Sequence, residues 1–236
     1  MIGKDIIKAA ELLQKGHVVG IPTETVYGLA ANALNQDAVL SIYDIKNRPQ
    51  FDPLIIHLPN FEAIEKYTLD IPEKAYLLSK NLMPGPLTLL LFKKDIVPYI
   101  VTSGSNKVAV RIPQHYLTLE LLNHLDFPLA APSANPFGYI SPTKAEHVEK
   151  QLGDKIPYIL DGGDSEIGIE STIVDCTTTP FTILRLVGIS QEALENCLGE
   201  KLHLNIATNS NPEAPGQLDK HYSPTTPLLL LDKVED

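Results

Sequence analysis

Cysteine is nearly absent from this 236-residue sequence: Cys176 and Cys197 are the only two, and they do not form a CxxC pair. They offer no zinc site and read as reduced, small hydrophobes suited to a cytoplasmic protein, with a disulfide between them as the alternative. The seven histidines show no metal-ligand spacing either. Missing too are a GxxxxGK[ST] phosphate loop, a GxGxxG fingerprint, an HExxH helix and a GxSxG elbow. The common nucleotide and hydrolase folds are therefore disfavoured. Any ATP bound here would have to be held by scattered cationic and hydroxyl groups. No apolar run nears the roughly 20 residues that span a bilayer, and residues 1–16 read as an amphipathic helix rather than a signal peptide. Positive charge is in short supply, with 19 basic against 29 acidic residues and a net charge of −10. That argues against a broad grip on nucleic acid, while leaving room for a local basic pocket.

What is present suits an ordinary globule, 44% hydrophobic and 20% charged, with 19 prolines that predict stiff, sharp connections. A first helix is expected over 4–14, with Ile6, Ile7, Ala10 and Leu13 on one apolar face and Gly16 ending it. A buried strand over 17–21 then delivers Pro22-Thr23-Glu24-Thr25-Val26-Tyr27-Gly28. A second helix, capped by Asn35, must end near Lys46 because Pro49 disfavours helical geometry at Arg48. Further strands are expected at 53–58, 87–92, 107–112, 129–131, 158–160, 171–174 and 182–186. Helices are expected at 72–81, 116–123, 143–152 and 191–198, with Thr143 and Glu146 as a capping box and Ser190 as an N-cap. The order is not strictly alternating. The fold class expected is mixed α/β (α+β), one strongly twisted sheet with helices. Residues 205–219 turn to Asn, Pro, Ser, Ala and Gly, the composition of a linker.

Several segments could carry chemistry. Lys46 and Arg48, one residue apart at a helix end, suit a polyanionic phosphate; they could equally be a solvated pair complementing the helix dipole. Residues 22–28 and Ser133-Ala134-Asn135 each follow a buried strand, where ligands commonly sit, or each is simply a polar turn. Arg111, Arg185 and His57 lie inside apolar strands, facing either water or a concave interior.

Together these segments are similar to the YrdC-type threonylcarbamoyl-AMP synthase family. The matches run in the family's order: residues 22–28, Lys-x-Arg-Pro at 46–49, Pro-Gly-Pro-Leu-Thr at 84–88, Val-Arg-Ile-Pro at 110–113, Ser-Ala-Asn at 133–135 and Glu-Ser-Thr-Ile-Val-Asp at 170–175. The resemblance implies a YrdC-like twisted open sheet with a concave active cavity. It implies that Lys46 and Arg48 hold the ATP phosphates, and that Ser133, Asn135, Ser141 and Arg185 contact the nucleotide. Thr25, His57, Arg111 and Ser171 would contact L-threonine, with Arg111 on its carboxylate. Pro215-Gly216-Gln217 and His221-Tyr222-x-Pro224 resemble the linker of longer members, with Tyr222 folding over the nucleotide. The domain expectation is a catalytic unit over 1–204, a linker over 205–224 folding back on the site, and at 225–236 only the start of a C-terminal domain, which the chain is expected to lack.

The reaction so implied joins L-threonine, bicarbonate and ATP into threonylcarbamoyl-AMP and pyrophosphate, with magnesium on the phosphates and no protein metal ligand. The product would pass to a tRNA threonylcarbamoyl transferase. Direct tRNA contact would be weak, and no membrane is involved. Two other assignments compete. One is a double-stranded RNA or tRNA-binding module of the same fold. The other is a carbamoyl-phosphate-using relative found inside a hydrogenase-maturation protein, disfavoured by the absence of zinc-finger cysteines and acylphosphatase-like segments.

Overall fold

A computed structural model describes residues 1–206 together with Ala214 and Pro215. The chain opens with β1 (Ile2–Gly3) and α1 (Ile6–Gln14). Asp5 caps α1, its carboxylate accepting the Lys8 N–H at 3.0 Å, which satisfies one orphan donor of the first turn. Ala9, Ala10 and Leu13 are buried, but Ile7 is 53% exposed. One residue beyond Ile6 is a 100° rotation, so Ile7 leaves the stripe made by 6, 9, 10 and 13.

Next come β2 (Val19–Ile21), β3 (Gly28–Asn32) and α2 (Gln36–Lys46). β3 has no signature in the sequence, since Gly-Leu-Ala-Ala-Asn is poor in strand formers; the antiparallel ladder with β2 supplies what local preference does not. Asn35 caps α2 as expected, accepting the N–H groups of Asp37 and Ala38. The helix stops at Lys46 because Asn47 turns left-handed, at φ 52°. Then follow β4 (Ile55–His57), α3 (Ile64–Tyr67), α4 (Glu73–Leu82), β5 (Leu87–Phe92), β6 (Lys107–Arg111), α5 (Tyr116–Asn123) and β7 (Leu129–Ala130). The chain continues through α6 (Ala145–Leu152), β8 (Tyr158–Leu160), β9 (Thr172–Asp175), β10 (Thr182–Arg185), α7 (Gln191–Leu198) and β11 (His203–Leu204).

Ser190 caps α7 as expected, accepting the Ala193 N–H at 3.2 Å. The capping box at Thr143 does not form. Lys144 holds the N-cap position of α6 without a side-chain bond, because Thr143 is engaged elsewhere: its carbonyl accepts the Ser165 N–H and its hydroxyl faces His147 Nδ1 at 3.4 Å.

Among the described residues the strands form one eleven-stranded sheet in the order β1-β8-β2-β3-β7-β4-β6-β5-β9-β10-β11. Pairing is mixed: β2–β8, β4–β6 and β5–β9 are parallel, whereas β2–β3, β4–β7 and β5–β6 are antiparallel. The result is the twisted, open mixed α/β sheet that the sequence implied. The main core buries Tyr27, Ile42, Tyr43, Ile56, Leu89 and Val110, and each such side chain contributes about 1.5–3 kcal/mol. Leu194 and Leu202 join the same core, and β11 pairs with β10, so 191–204 are packed into this unit. A small cluster of Ile55, Leu90, Ala109, Ile173 and Leu184 is covered by Ala214, which is fully buried.

Strand ends decide where the functional segments go. β4 ends at His57 and β6 at Arg111, paired in register. β2 delivers residues 22–26, β7 runs into Ser133, β10 ends at Arg185 and Ser171 directly precedes β9.

Candidate active site

These strand ends, with the C-terminus of α2, line one shared cavity. Every residue that the sequence nominated lines it except Ser141 and Tyr222; Tyr222 lies outside the described residues.

Lys46 is 1% exposed, and its ammonium donates to the carbonyls of Ser133 and Asn135, both at 2.5 Å. The Phe137 N–H returns a bond to the Lys46 carbonyl at 2.8 Å. The solvated-pair alternative fails: α2 ends with its last cation turned inward. Burial, then the neighbouring Arg48, pushes the Lys46 ammonium well below its ordinary value. Arg48 is clamped by three acceptors. Its Nε donates to the Asp52 carbonyl at 3.1 Å, and its Nη2 donates to Pro53 O at 2.8 Å and to Asp52 Oδ2 at 2.9 Å. Among the described residues Nη1 has no protein acceptor, so one edge of the guanidinium stays available for an anion.

Arg111 is built the same way. Its Nη2 donates to Glu24 Oε1 at 2.7 Å and Thr25 Oγ1 at 2.9 Å, and its Nε to the Gly85 carbonyl at 3.3 Å. His57 stands beside it. Burial, and secondarily the Arg111 charge, pushes the imidazole down to about 3, so it is neutral at physiological pH. Ser171 Oγ shares a proton with Thr88 Oγ1 at 2.7 Å and accepts from Arg185 Nη2 at 3.1 Å. Arg185 also donates to the carbonyls of Ser171 and Pro215, at 2.8 and 3.1 Å. Burial lowers its guanidinium to about 10. Ser141 stands behind the wall, donating to Glu170 Oε1 at 2.5 Å.

Four buried polar atoms of lining residues have no hydrogen-bond partner among the described residues: the oxygens Asp52 Oδ1, Asn135 Oδ1 and Glu170 Oε2, and the ring nitrogen His57 Nδ1. Their residues are 2%, 3%, 8% and 3% exposed. Buried polar atoms are normally paired, and each orphan costs about 1–3 kcal/mol. A ligand that fits must therefore bring hydrogen-bond donors to the three oxygens, a partner to the imidazole nitrogen and negative charge to the cations. An ammonium, sugar hydroxyls and an exocyclic amine beside phosphates and a carboxylate meet that demand.

A family model described as telomere recombination, covering the Sua5, YciO and YrdC proteins, matches residues 11–186. The chain belongs to that family. A second model, described as the threonylcarbamoyl-AMP synthase C-terminal domain, matches residues 189–236. This corrects the expectation that the chain lacks that domain. The match takes in the residues of linker composition from 205 onward, which composition alone read as a connection with only the start of a domain after it. The threonylcarbamoyl-AMP synthase of Pyrococcus abyssi is 43% identical over 231 residues, 97% of this chain and 68% of that protein. That of Bacillus subtilis is 45% identical over 231 residues, 96% of this chain and 66% of that protein. The chain thus spans about two thirds of the length of these relatives. The crystal structure of P. abyssi Sua5 complexed with L-threonine superposes with a TM-score of 0.91 at 42% identity, covering 95% of this chain and 68% of that one.

In this family member three carboxylates at the site were not among the nominated residues: Asp52 and Glu170, which line the cavity, and Glu24, which pairs with the lining Arg111. Glu24 and Glu170 stood inside the matched motifs and were passed over for their basic and hydroxyl neighbours. Asp52 had no sequence signal beyond lying four residues after Arg48; only the turn that returns the Asp52 N–H to the Pro49 carbonyl brings the two together.

Proposed function

We propose that this chain makes threonylcarbamoyl-AMP and pyrophosphate from L-threonine, bicarbonate and ATP. One observation carries this reading: Lys46, Arg48, Arg111 and Arg185 converge on one hollow whose lining also holds four buried polar atoms with no partner among the described residues. Such a hollow asks for anions and hydrogen-bond donors together. The threonine complex of the P. abyssi relative supports the amino acid, and the names of both relatives support the reaction.

In this reading the free edge of Arg48 and the third proton of Lys46 hold the triphosphate, while Ser133, Asn135 and Arg185 hold the nucleoside. Arg111, Thr25, His57 and Ser171 hold threonine. The ammonium loses a proton and its nitrogen bonds to the carbon of bicarbonate, which sheds water and leaves an N-carboxylate. A carboxylate oxygen then attacks the α-phosphorus, and the bond to the β-phosphate oxygen breaks, releasing pyrophosphate. No protein nucleophile is required. The side chains align two anions and offset their repulsion, which in a water-poor cavity is worth far more than in solution. Magnesium carried on the triphosphate would supply charge neutralisation on the leaving group. Among the described residues no cluster of His, Cys, Asp or Glu could hold a metal ion.

The mixed anhydride hydrolyses in water, and the linker at 205–224 would close over it above the catalytic unit at 1–204. Ala214 and Pro215 already pack against the cavity wall; Tyr222 would complete the cover. The adenylate would pass to a tRNA threonylcarbamoyl transferase in the cytoplasm, with weak direct tRNA contact. Among the described residues no helix is long and apolar enough to cross a membrane. Mass spectrometry of a reaction holding threonine, bicarbonate, magnesium and ATP should show the threonylcarbamoyl-adenylate mass, with pyrophosphate release that depends on threonine. ATP breakdown indifferent to threonine would sink the proposal.

A further inference from the structure

Glu24 is 2% exposed and Arg111 4%; Arg111 lines the cavity, and Glu24 pairs with it at 2.7 Å from behind the lining residues. On charge alone the carboxylate is out of place. It neutralises the cation that the proposed amino-acid carboxylate needs, and it should weaken binding. Its anchoring points to another role. Ile167 and Gly168 donate backbone N–H groups to the carbonyls of Glu24 and Thr25, both at 2.9 Å, so the segment after β2 is fixed. The side chain then spans two partners, one in the last residue of β6 and one just past it: Oε1 accepts from Arg111 Nη2 and Oε2 from the Gln114 N–H at 3.0 Å. With Thr25 Oγ1 on the second Nη2 proton and Gly85 O on Nε, the broad side of the guanidinium is used up. Both Nη1 protons are without a protein acceptor among the described residues. An Arg side chain otherwise has many rotamers, and its fork binds a carboxylate well only when aimed.

We propose that Glu24 is a positioning residue. It holds Arg111 by its broad side and turns the Nη1 edge to the substrate carboxylate, so threonine is engaged end-on rather than through the Nε–Nη2 fork. This rests on the reading that the cavity binds threonine.

Glu24→Gln tests it without changing the side chain's shape. A glutamine has one acceptor where two are needed, so either Arg111 Nη2 or the Gln114 N–H would face a donor. Charge alone predicts that Glu24→Gln lowers the threonine KM. Positioning predicts that it raises KM about 10- to 100-fold, the worth of a charge-assisted hydrogen bond, with ATP affinity within about 2-fold of wild type by the same scale. Glu24→Asp keeps the charge but is too short to span both partners, and should raise KM in the same direction. Threoninamide, which lacks the carboxylate, separates aim from folding: its already poor use should hardly change in either variant. A threonine KM that falls or stays put in Glu24→Gln overturns the proposal, as does an equal loss for threonine and threoninamide. A wild-type chain that binds no threonine by calorimetry would instead remove the reading underneath.

Discussion

Replacing Lys46 with methionine keeps the aliphatic stem that fills the end of α2 and removes only the ammonium. Two of that group's three protons are spent on Ser133 O and Asn135 O, so one remains for a phosphate oxygen. Losing a charge-stabilising donor of this kind costs about 2.7–4 kcal/mol of transition-state stabilisation, or 10²–10³ in turnover. Stability responds differently. The two carbonyls lose their partner at about 1–3 kcal/mol each, while the desolvation penalty of a fully buried cation, several kcal/mol, disappears. These oppose each other, so unfolding free energy should change by no more than about 2 kcal/mol as turnover falls about 100-fold or more. Threonine-dependent pyrophosphate release and urea unfolding on the same protein separate the two. Wild-type turnover in Lys46→Met would refute the phosphate assignment. A loss of activity that tracks a collapse of stability would refute the catalytic part of it.

Asp52→Ala strips Arg48 of its buried counter-ion; removal of one partner should destabilise the fold by about 3–5 kcal/mol in urea unfolding and weaken ATP binding by calorimetry. His57, pushed down to about 3 by burial, binds a proton in the unfolded chain below about pH 6.5 but not in the folded one. Its contribution to stability is therefore present above pH 6.5 and is lost as pH falls from there toward 3. His57→Gln should abolish roughly 2 kcal/mol of the stability lost between pH 7 and pH 5, measured by urea midpoints. Ala214→Asp would press a carboxylate onto Ile55, Leu90, Ala109, Ile173 and Leu184. Because an unpaired charge is not tolerated there, the segment should detach, and nucleotide retention should fall while the melting of the sheet is unchanged.

Much of the fold was legible because its signals are local. The Asn35 cap, the apolar spacing of α2 and the Pro49 stop fixed the helix that carries Lys46, and β-branched runs marked β6 and β10 with their arginines. What was misread depended on partners far away in the chain. Strand β3 exists because β2 and β7 bracket it, and the main chain of Thr143 is tied to Ser165 while α6 begins one residue later, with Lys144 at its N-cap.

The motifs alone determined which residues carry cations and hydroxyls, and in what order. Only the tertiary structure decided the direction each one points. Period-2 alternation leaves Arg111 facing either water or the interior; the register of β6 beside β4, with Glu24 arriving from β2, turns it inward. The carboxylates that aim the arginines, and the acceptors left unpaired among them, belong to segments that meet only in space. A hydrogen bond between residues 87 positions apart has no local signature, because no local interaction produces it.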